Sequence, residues 1–330
     1  MRSPAIRRTL LWGAGILVSA LFAWLALRGV DWREAWTALH RCNYWWLAPA
    51  LVALAATIPL KALRWQFLFA QRTRPPFGAA TVALLVGLFF NSILPARAGE
   101  AARVLALNRD AGTSRGEAVA TVALERVFDV LALLLVLFLG VPWLPQVTWL
   151  HTAAGLAIAL AVVVAATVVV VGVWGERPLR LVLLPLARLP FVPAERVEAF
   201  VRNAHHGLAA IRSARLAVVV SLLTVSVWLL LALSTWFLMR GFDLGLPFLA
   251  AVLVVVAINL ALVLPSSPGG IGVFEAATLV ALHAYGIPDS RAISFALVLH
   301  AVNLVPYLAA GLAVTHLHAT GRTSGLERRA

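Results

Sequence analysis

Apolar residues in this chain fall into long blocks separated by short polar and basic connections, and two of the blocks are broken from within. The blocks cover residues 10–27, 45–69, 79–94, 117–140, 151–174, 216–239, 247–285 and about 292–317. Runs of this length and polarity predict helices that cross a bilayer, since about 20 apolar residues span its hydrocarbon core. The block 247–285 is cut by 264–275, LPSSPGGIGVFE, with two prolines, two serines and three glycines. Apolar residues continuing on both sides of such a break predict two half-helices meeting inside the membrane, where protein or a wet cavity must satisfy the freed backbone groups. The block 79–94 is only 16 residues long and runs into a second break at Pro95 to Gly99.

Composition excludes an ordinary soluble domain. Hydrophobic residues make up 62% and charged residues 12% of 330, with a net charge of +13. In a soluble chain that charge would suggest nucleic acid; here the arginines sit in the connections, which is the positive-inside pattern with attraction to anionic lipid. One cysteine, Cys42, excludes an internal disulfide and a cysteine metal cluster. Lys61 is the only lysine and reads as a compositional habit.

Charge placement then orders the blocks. Arg2, Arg7 and Arg8 precede 10–27, and no small-x-small cleavage site follows, which predicts a retained first helix with its N-terminus in the cytoplasm. Arg72 and Arg74 on one side of 79–94, and Arg103, Arg109 and Arg115 on the other, put both flanks inside, so that block dips in and returns. The loop 176–215, with seven arginines against three glutamates, lies inside; Arg240 lies outside. The expected fold is an all-α polytopic membrane protein with about six full spans and two re-entrant broken-helix hairpins arranged as an inverted repeat. Its parts are 1–44 (first helix and loop), 45–140 (repeat one), 141–215 (connecting span and basic loop), 216–317 (inverted repeat two) and a cytoplasmic tail, 318–330. Such repeats mark transporters with a site near the midplane. A full-span reading of both hairpins gives eight crossings and the same cytoplasmic termini.

The candidate chemistry is the set of charges inside these blocks. Glu125 and Asp129 share a helical face with Arg126 beside them; Glu100 and Arg103 follow the first break, and Arg97 lies within reach. An acid or base at the centre of a membrane helix costs about 2.5–3.5 kcal/mol, so these groups are expected to face inward and pair. They form either an ion-pair lock between the repeats or a polar cavity that receives a lipid headgroup or couples to protons through Glu100, Glu125, Asp129 or Glu275. Lys61 and Arg64 either snorkel to the headgroups or contact an anionic substrate. In the second break Pro265 and Pro268 stop one half-helix, and Gly269, Gly270 and Gly272 allow a tight reversal. Glu275 either caps the next half-helix or joins the site. His300 and Asn303 read as interhelical hydrogen-bonding groups. His205 and His206 lack further ligands, and no nucleotide or nucleophile motif is present.

NSILPARAGEAARV (91–104), ALERVFDVLAL (123–133), PSSPGGIGVFEA (265–276) and RWQFL (64–68) resemble the lysylphosphatidylglycerol synthase transmembrane region, a family also described as flippase-like. The resemblance covers nearly the whole chain. It implies a substrate-binding set of Arg97, Gly99, Glu100, Arg103, Glu125, Arg126, Asp129, Pro268, Gly269, Gly270, Gly272 and Glu275. Members fused to an aminoacyl-transferase domain modify phosphatidylglycerol; the sequence ends at Ala330 without room for one, so synthase activity is not expected. The implied role is a flippase-like transporter in a bacterial cytoplasmic membrane, without catalytic residues, metal or cofactor. It would move an anionic phospholipid, a hopanoid or a lipid-linked intermediate. A membrane-embedded enzyme using Glu100 or Asp129 as base, and a scaffold for lipid-modifying enzymes, are the alternatives. Partners are membrane lipids, with a second copy or lipid-biosynthesis enzymes left open, and no nucleic acid.

Overall fold

The computed structural model describes residues 18–94, 98–145, 152, 155, 159, 162, 214–263 and 266–319. Every regular element among them is helical: α1 (Val18–Leu27), α2 (Trp32–Arg41), α3 (Leu47–Leu68), α4 (Phe77–Ile93), α5 (Gly99–Ala111), α6 (Arg115–Gly140), α7 (Ala214–Gly241), α8 (Phe248–Ala261), α9 (Val273–His283) and α10 (Asp289–Ala319). Arg97, Pro265, most of the expected span 151–174 and the basic loop up to 213 lie outside the described residues.

Among the described residues three stretches are long and apolar enough to cross a membrane: Tyr44–Leu68, Arg215–Gly241 and Asp289–His316. The 22 residues of α3 rise about 33 Å at 1.5 Å each. Helix α6 is 26 residues long but carries Glu125, Arg126 and Asp129. The other apolar helices, α1, α4 and α8, are shorter.

Both predicted breaks are present. Helix α4 ends at Ile93 and α5 starts at Gly99; α8 ends at Ala261, earlier than the prolines suggested, and α9 starts at Val273. Arms α4 and α5 fold back on each other. A Cβ on Gly87 would lie 2.8 Å from Arg103 Cβ, and one on Gly99 would collide with the Gly87 carbonyl and the Asn91 backbone. Arms α8 and α9 also pack together.

A long–short–short–long order of helices therefore occurs twice, and the two sets pack reciprocally. Helices α3 and α7 lie antiparallel, with Ser234 Oγ donating to the Ala50 carbonyl at 2.8 Å and Asn43 N to the Gly241 carbonyl at 2.8 Å. Helix α4 packs on α10 and α8 on α6, so the short first arm of each set lies against the long last helix of the other. Gly311 of α10 lets α4 approach, its missing Cβ pointing at Phe89 and the Leu85 carbonyl.

One helix was not anticipated. Residues 1–44 read as a first helix and loop, yet 32–41 form α2, capped by Asp31 Oδ1, which accepts from Arg33 N at 2.8 Å. It packs on α10, where Ser294 Oγ donates to the Ala35 carbonyl at 2.9 Å. Trp32, Trp36, Tyr44 and Trp45 around it are exposed, as aromatic residues at a membrane–water boundary are.

Candidate functional site

Six of the expected charges close into a ring. Arg64 Nη2 donates to Glu125 Oε1 at 2.7 Å, and Glu125 Oε2 accepts from Arg103 Nη2 at 2.7 Å. Arg103 Nη1 lies 3.6 Å from Glu100 Oε2; Glu100 Oε1 accepts from Arg126 Nη2. Arg126 Nη1 reaches Asp129 Oδ2 at 3.4 Å, and Asp129 Oδ1 returns to Arg64 Nη1 at 2.6 Å. Three guanidinium groups and three carboxylates alternate, so the ring is neutral. That arrangement explains how charges so costly beside hydrocarbon are tolerated here.

The ring ties four helices together: α3 through Arg64, α5 through Glu100 and Arg103, α6 through the rest, and α7 through Thr224, whose Oγ1 lies 3.2 Å from Arg64 Nη1. Burial is graded around it. Side chains of Arg64, Arg103 and Glu125 are 1%, 3% and 4% exposed, whereas Arg126 is 42% exposed. Arg103 also stacks 3.7 Å above the ring of Trp65, and Trp65 Nε1 donates to Thr121 Oγ1 at 3.0 Å. Arg64 is therefore enclosed and does not snorkel to the headgroups. The geometry of the helix pair decides this, because α3 turns Arg64 towards the acids of α6.

The second break forms the facing wall. Gly269, Gly270 and Gly272 have φ of +68°, +75° and +86°, values that side-chain-bearing residues rarely adopt. Pro268 opens a single 3-10 turn, Pro268–Gly270. Glu275 caps α9, its Oε2 accepting from Gly272 N at 2.7 Å, and its Oε1 lies 2.6 Å from His300 Nδ1 of α10. His300 Nε2 lies 3.0 Å from the Gly269 carbonyl and its ring stacks on Phe274. The free end of α9 is thus closed by its own carboxylate, and His300 forms the interhelical bond expected of it. The side chain of Asn303 bonds within α10, to the Leu299 carbonyl. Helix α1 supports the turn from behind: Ser19 Oγ accepts from Ser267 N at 2.7 Å, and Gly272 lies against the Ser19 carbonyl.

Between ring and break lies a cavity of about 610 Å³. All six ring residues line it, as do Lys61, Asn91, Asn259, Gly269, Gly270, His300 and Tyr307. Of the expected set the cavity walls include Glu100, Arg103, Glu125, Arg126, Asp129, Gly269 and Gly270; Gly99 lies behind them at the α4–α5 contact, and Pro268, Gly272 and Glu275 shape the turn. The expected binding set left out Lys61, Arg64, His300 and Tyr307, although contact with an anionic substrate was one of the two readings of Lys61 and Arg64. Their signal was present: Lys61 and Arg64 are three apart in an otherwise apolar helix, on one face. Among the described residues no group of three His, Cys, Asp or Glu could hold a metal ion.

Apolar helices of crossing length around a buried, charged cavity define an integral membrane protein with a polar site among its helices. The chain belongs to the family of the lysylphosphatidylglycerol synthase TM region, whose model matches residues 12–311. It is 26% identical over 210 residues to a UPF0104 membrane protein of Methanocaldococcus jannaschii, covering 62% of this chain and 83% of that one. A UPF0104 membrane protein of Methanothermobacter thermautotrophicus is 25% identical over 296 residues, covering 86% and 85%. A shorter match, 31% identical over 136 residues, covers 39% of this chain and 21% of glycosyltransferase AglD of Haloferax volcanii.

Proposed function

We propose that this protein is a flippase-like transporter that passes a lipid headgroup between leaflets through the cavity while the tail stays in hydrocarbon. The observation that carries this reading is a cavity of about 610 Å³ walled by a neutral ring of charges and a helix break, inside helices that are otherwise apolar. A headgroup crossing hydrocarbon alone would lose its hydration; a wall of fixed donors and acceptors replaces that shell. The doubled helix order and its reciprocal packing support two repeats, 45–140 and 216–317, inverted about the membrane plane, with α4–α5 and α8–α9 as re-entrant hairpins.

In this reading both termini face the cytoplasm and the membrane is a bacterial inner membrane. The protein performs no covalent step. Glu100, Glu125 and Asp129 are committed to arginines, and Glu275 to His300 and the Gly272 amide, so in this reading the lipid moves down its own gradient. The glycosyltransferase match covers a fifth of that enzyme and brings no activity with it.

The test is leaflet exchange of a fluorescent phosphatidylglycerol in proteoliposomes, read by dithionite quenching. Arg126→Ala removes the exposed corner of the ring and Glu275→Gln weakens the His300 contact that shapes the turn. Each is expected to slow exchange by about tenfold or more, the scale of losing one charge-assisted hydrogen bond of about 1.5–3 kcal/mol. Unchanged exchange in both variants would remove these residues from the transport path.

A further inference from the structure

Among the described residues, every arginine of the cavity is paired with carboxylates. Each of Arg64, Arg103 and Arg126 meets two of the three acids Glu100, Glu125 and Asp129, so three positive charges balance three negative ones. Lys61 lines the same cavity, half-buried, and adds a fourth positive charge; among the described residues no carboxylate pairs with it, the fourth acid of the site, Glu275, being turned to His300 and the Gly272 amide. Its one partner among the described residues is the Tyr307 ring, with Nζ 5.7 Å from the centroid. An aromatic face attracts a cation but accepts none of the ammonium's three N–H donors in the way an oxygen does. The hydroxyl of Tyr307, a residue 9% exposed, also has no hydrogen-bond partner among the described residues.

We infer that Lys61 is the anion-recognition point of the cavity and that its ligand is a phosphate ester. A compact ammonium with free donors suits a phosphate oxygen as a point charge, whereas the bidentate guanidinium groups are engaged elsewhere. A phosphate there would supply the counter-charge that the ring acids, held by arginines, do not give the ammonium. The source favoured is a phospholipid, because a second, apolar groove of about 460 Å³ runs between the same two helices, α3 and α10. It is lined by Leu47, Leu51, Ala301, Val302, Val305 and Pro306, the last adjoining Tyr307, and it offers hydrocarbon a place beside the headgroup. This inference rests on the transport reading for its biological role, but the binding claim stands on the ammonium that faces the cavity without a carboxylate partner among the described residues.

Lys61 being the only lysine makes the test direct. The full chain in maltoside micelles is acetylated with an N-hydroxysuccinimide ester, and the rate at Lys61 is read by peptide mass spectrometry, which separates it from the terminal amine. Four arms are compared: no addition, phosphatidylglycerol, diacylglycerol with the same chains, and glycerol phosphate. With phosphatidylglycerol at about ten times its Kd, acetylation is expected to slow about tenfold, and with diacylglycerol to stay unchanged. Slowing by glycerol phosphate as well assigns the site to the phosphate ester alone; slowing only by the lipid assigns it to the headgroup with its chains. Equal rates in all arms, or equal slowing by diacylglycerol, would overturn the inference. Exchange assays separate it from the transport reading. Lys61→Met is expected to slow phosphatidylglycerol exchange about tenfold and Lys61→Arg to restore most of it. Wild-type exchange matched by Lys61→Met overturns the inference and leaves transport standing. Protection without any wild-type exchange leaves the phosphate site standing and removes transport.

Discussion

Replacing Arg64 by alanine is expected to lower folding stability by about 3–5 kcal/mol, the cost of breaking a buried ion pair from one side. Arg64 is 1% exposed and closes the ring to both Glu125 and Asp129 at 2.7 and 2.6 Å. Without it Glu125 keeps Arg103, while Asp129 keeps only Arg126, 3.4 Å away at the exposed corner. The neutral ring becomes one with an uncompensated acid, enclosed by apolar helices. Domains are stable by only about 5–15 kcal/mol, so much of the purified protein should aggregate or unfold early in chemical or thermal denaturation. Arg64→Lys should not restore it, because an ammonium cannot hold two carboxylates and Thr224 in one plane. Arg64→Met combined with Asp129→Asn removes one charge of each sign and should recover a good part of the loss, as neutral replacement of buried pairs often does. A denaturation midpoint for Arg64→Ala equal to that of the wild type would show that the ring holds nothing together.

The second large effect is expected at Gly99, where α5 leaves the first break. A methyl group there meets the Gly87 carbonyl, the Asn91 backbone and, at 2.6 Å, the Asn91 side-chain oxygen. Two of these are backbone atoms of α4, so the arm as a whole must move. Overpacking of this kind costs about 1–3 kcal/mol. The displaced arm carries Glu100 and Arg103, so Gly99→Ala should also pull two corners of the ring away from α6. Folded but poorly exchanging protein is the expected outcome, read by denaturation and leaflet exchange on the same preparation. Gly116→Ala on α6 is the control: its new Cβ would sit 3.7 Å from Ser114 Oγ, ordinary contact, and alanine favours a helix over glycine by about 1 kcal/mol. Equal losses in the two variants would mean that the close approach of α4 and α5 is not what the glycine provides.

The two breaks and the ring acids were readable because membrane chemistry makes them conspicuous. A proline–glycine cluster between apolar runs, or Glu125 and Asp129 one turn apart among leucines, has few innocent explanations in hydrocarbon. Arg64 was ambiguous for the same reason that it matters. Near the end of a long apolar helix a cation can reach water or an acid, and only the neighbouring helix decides which. Helix α2 escaped notice because its tryptophans and charges, spaced for a surface helix, form no apolar block.

By itself the sequence determined the class of protein, the long apolar helices, the places where two of them break, and the acids and bases that hydrocarbon would not accept unpaired. These follow from local composition weighed against the solvent, and need no partner to be known. Which arginine meets which carboxylate, that the six close into a neutral ring, and that Lys61 is left over were decided only by tertiary structure. Charge pairing across α3, α5, α6 and α7 depends on helix rotation and approach, which packing sets from residues far apart in the chain.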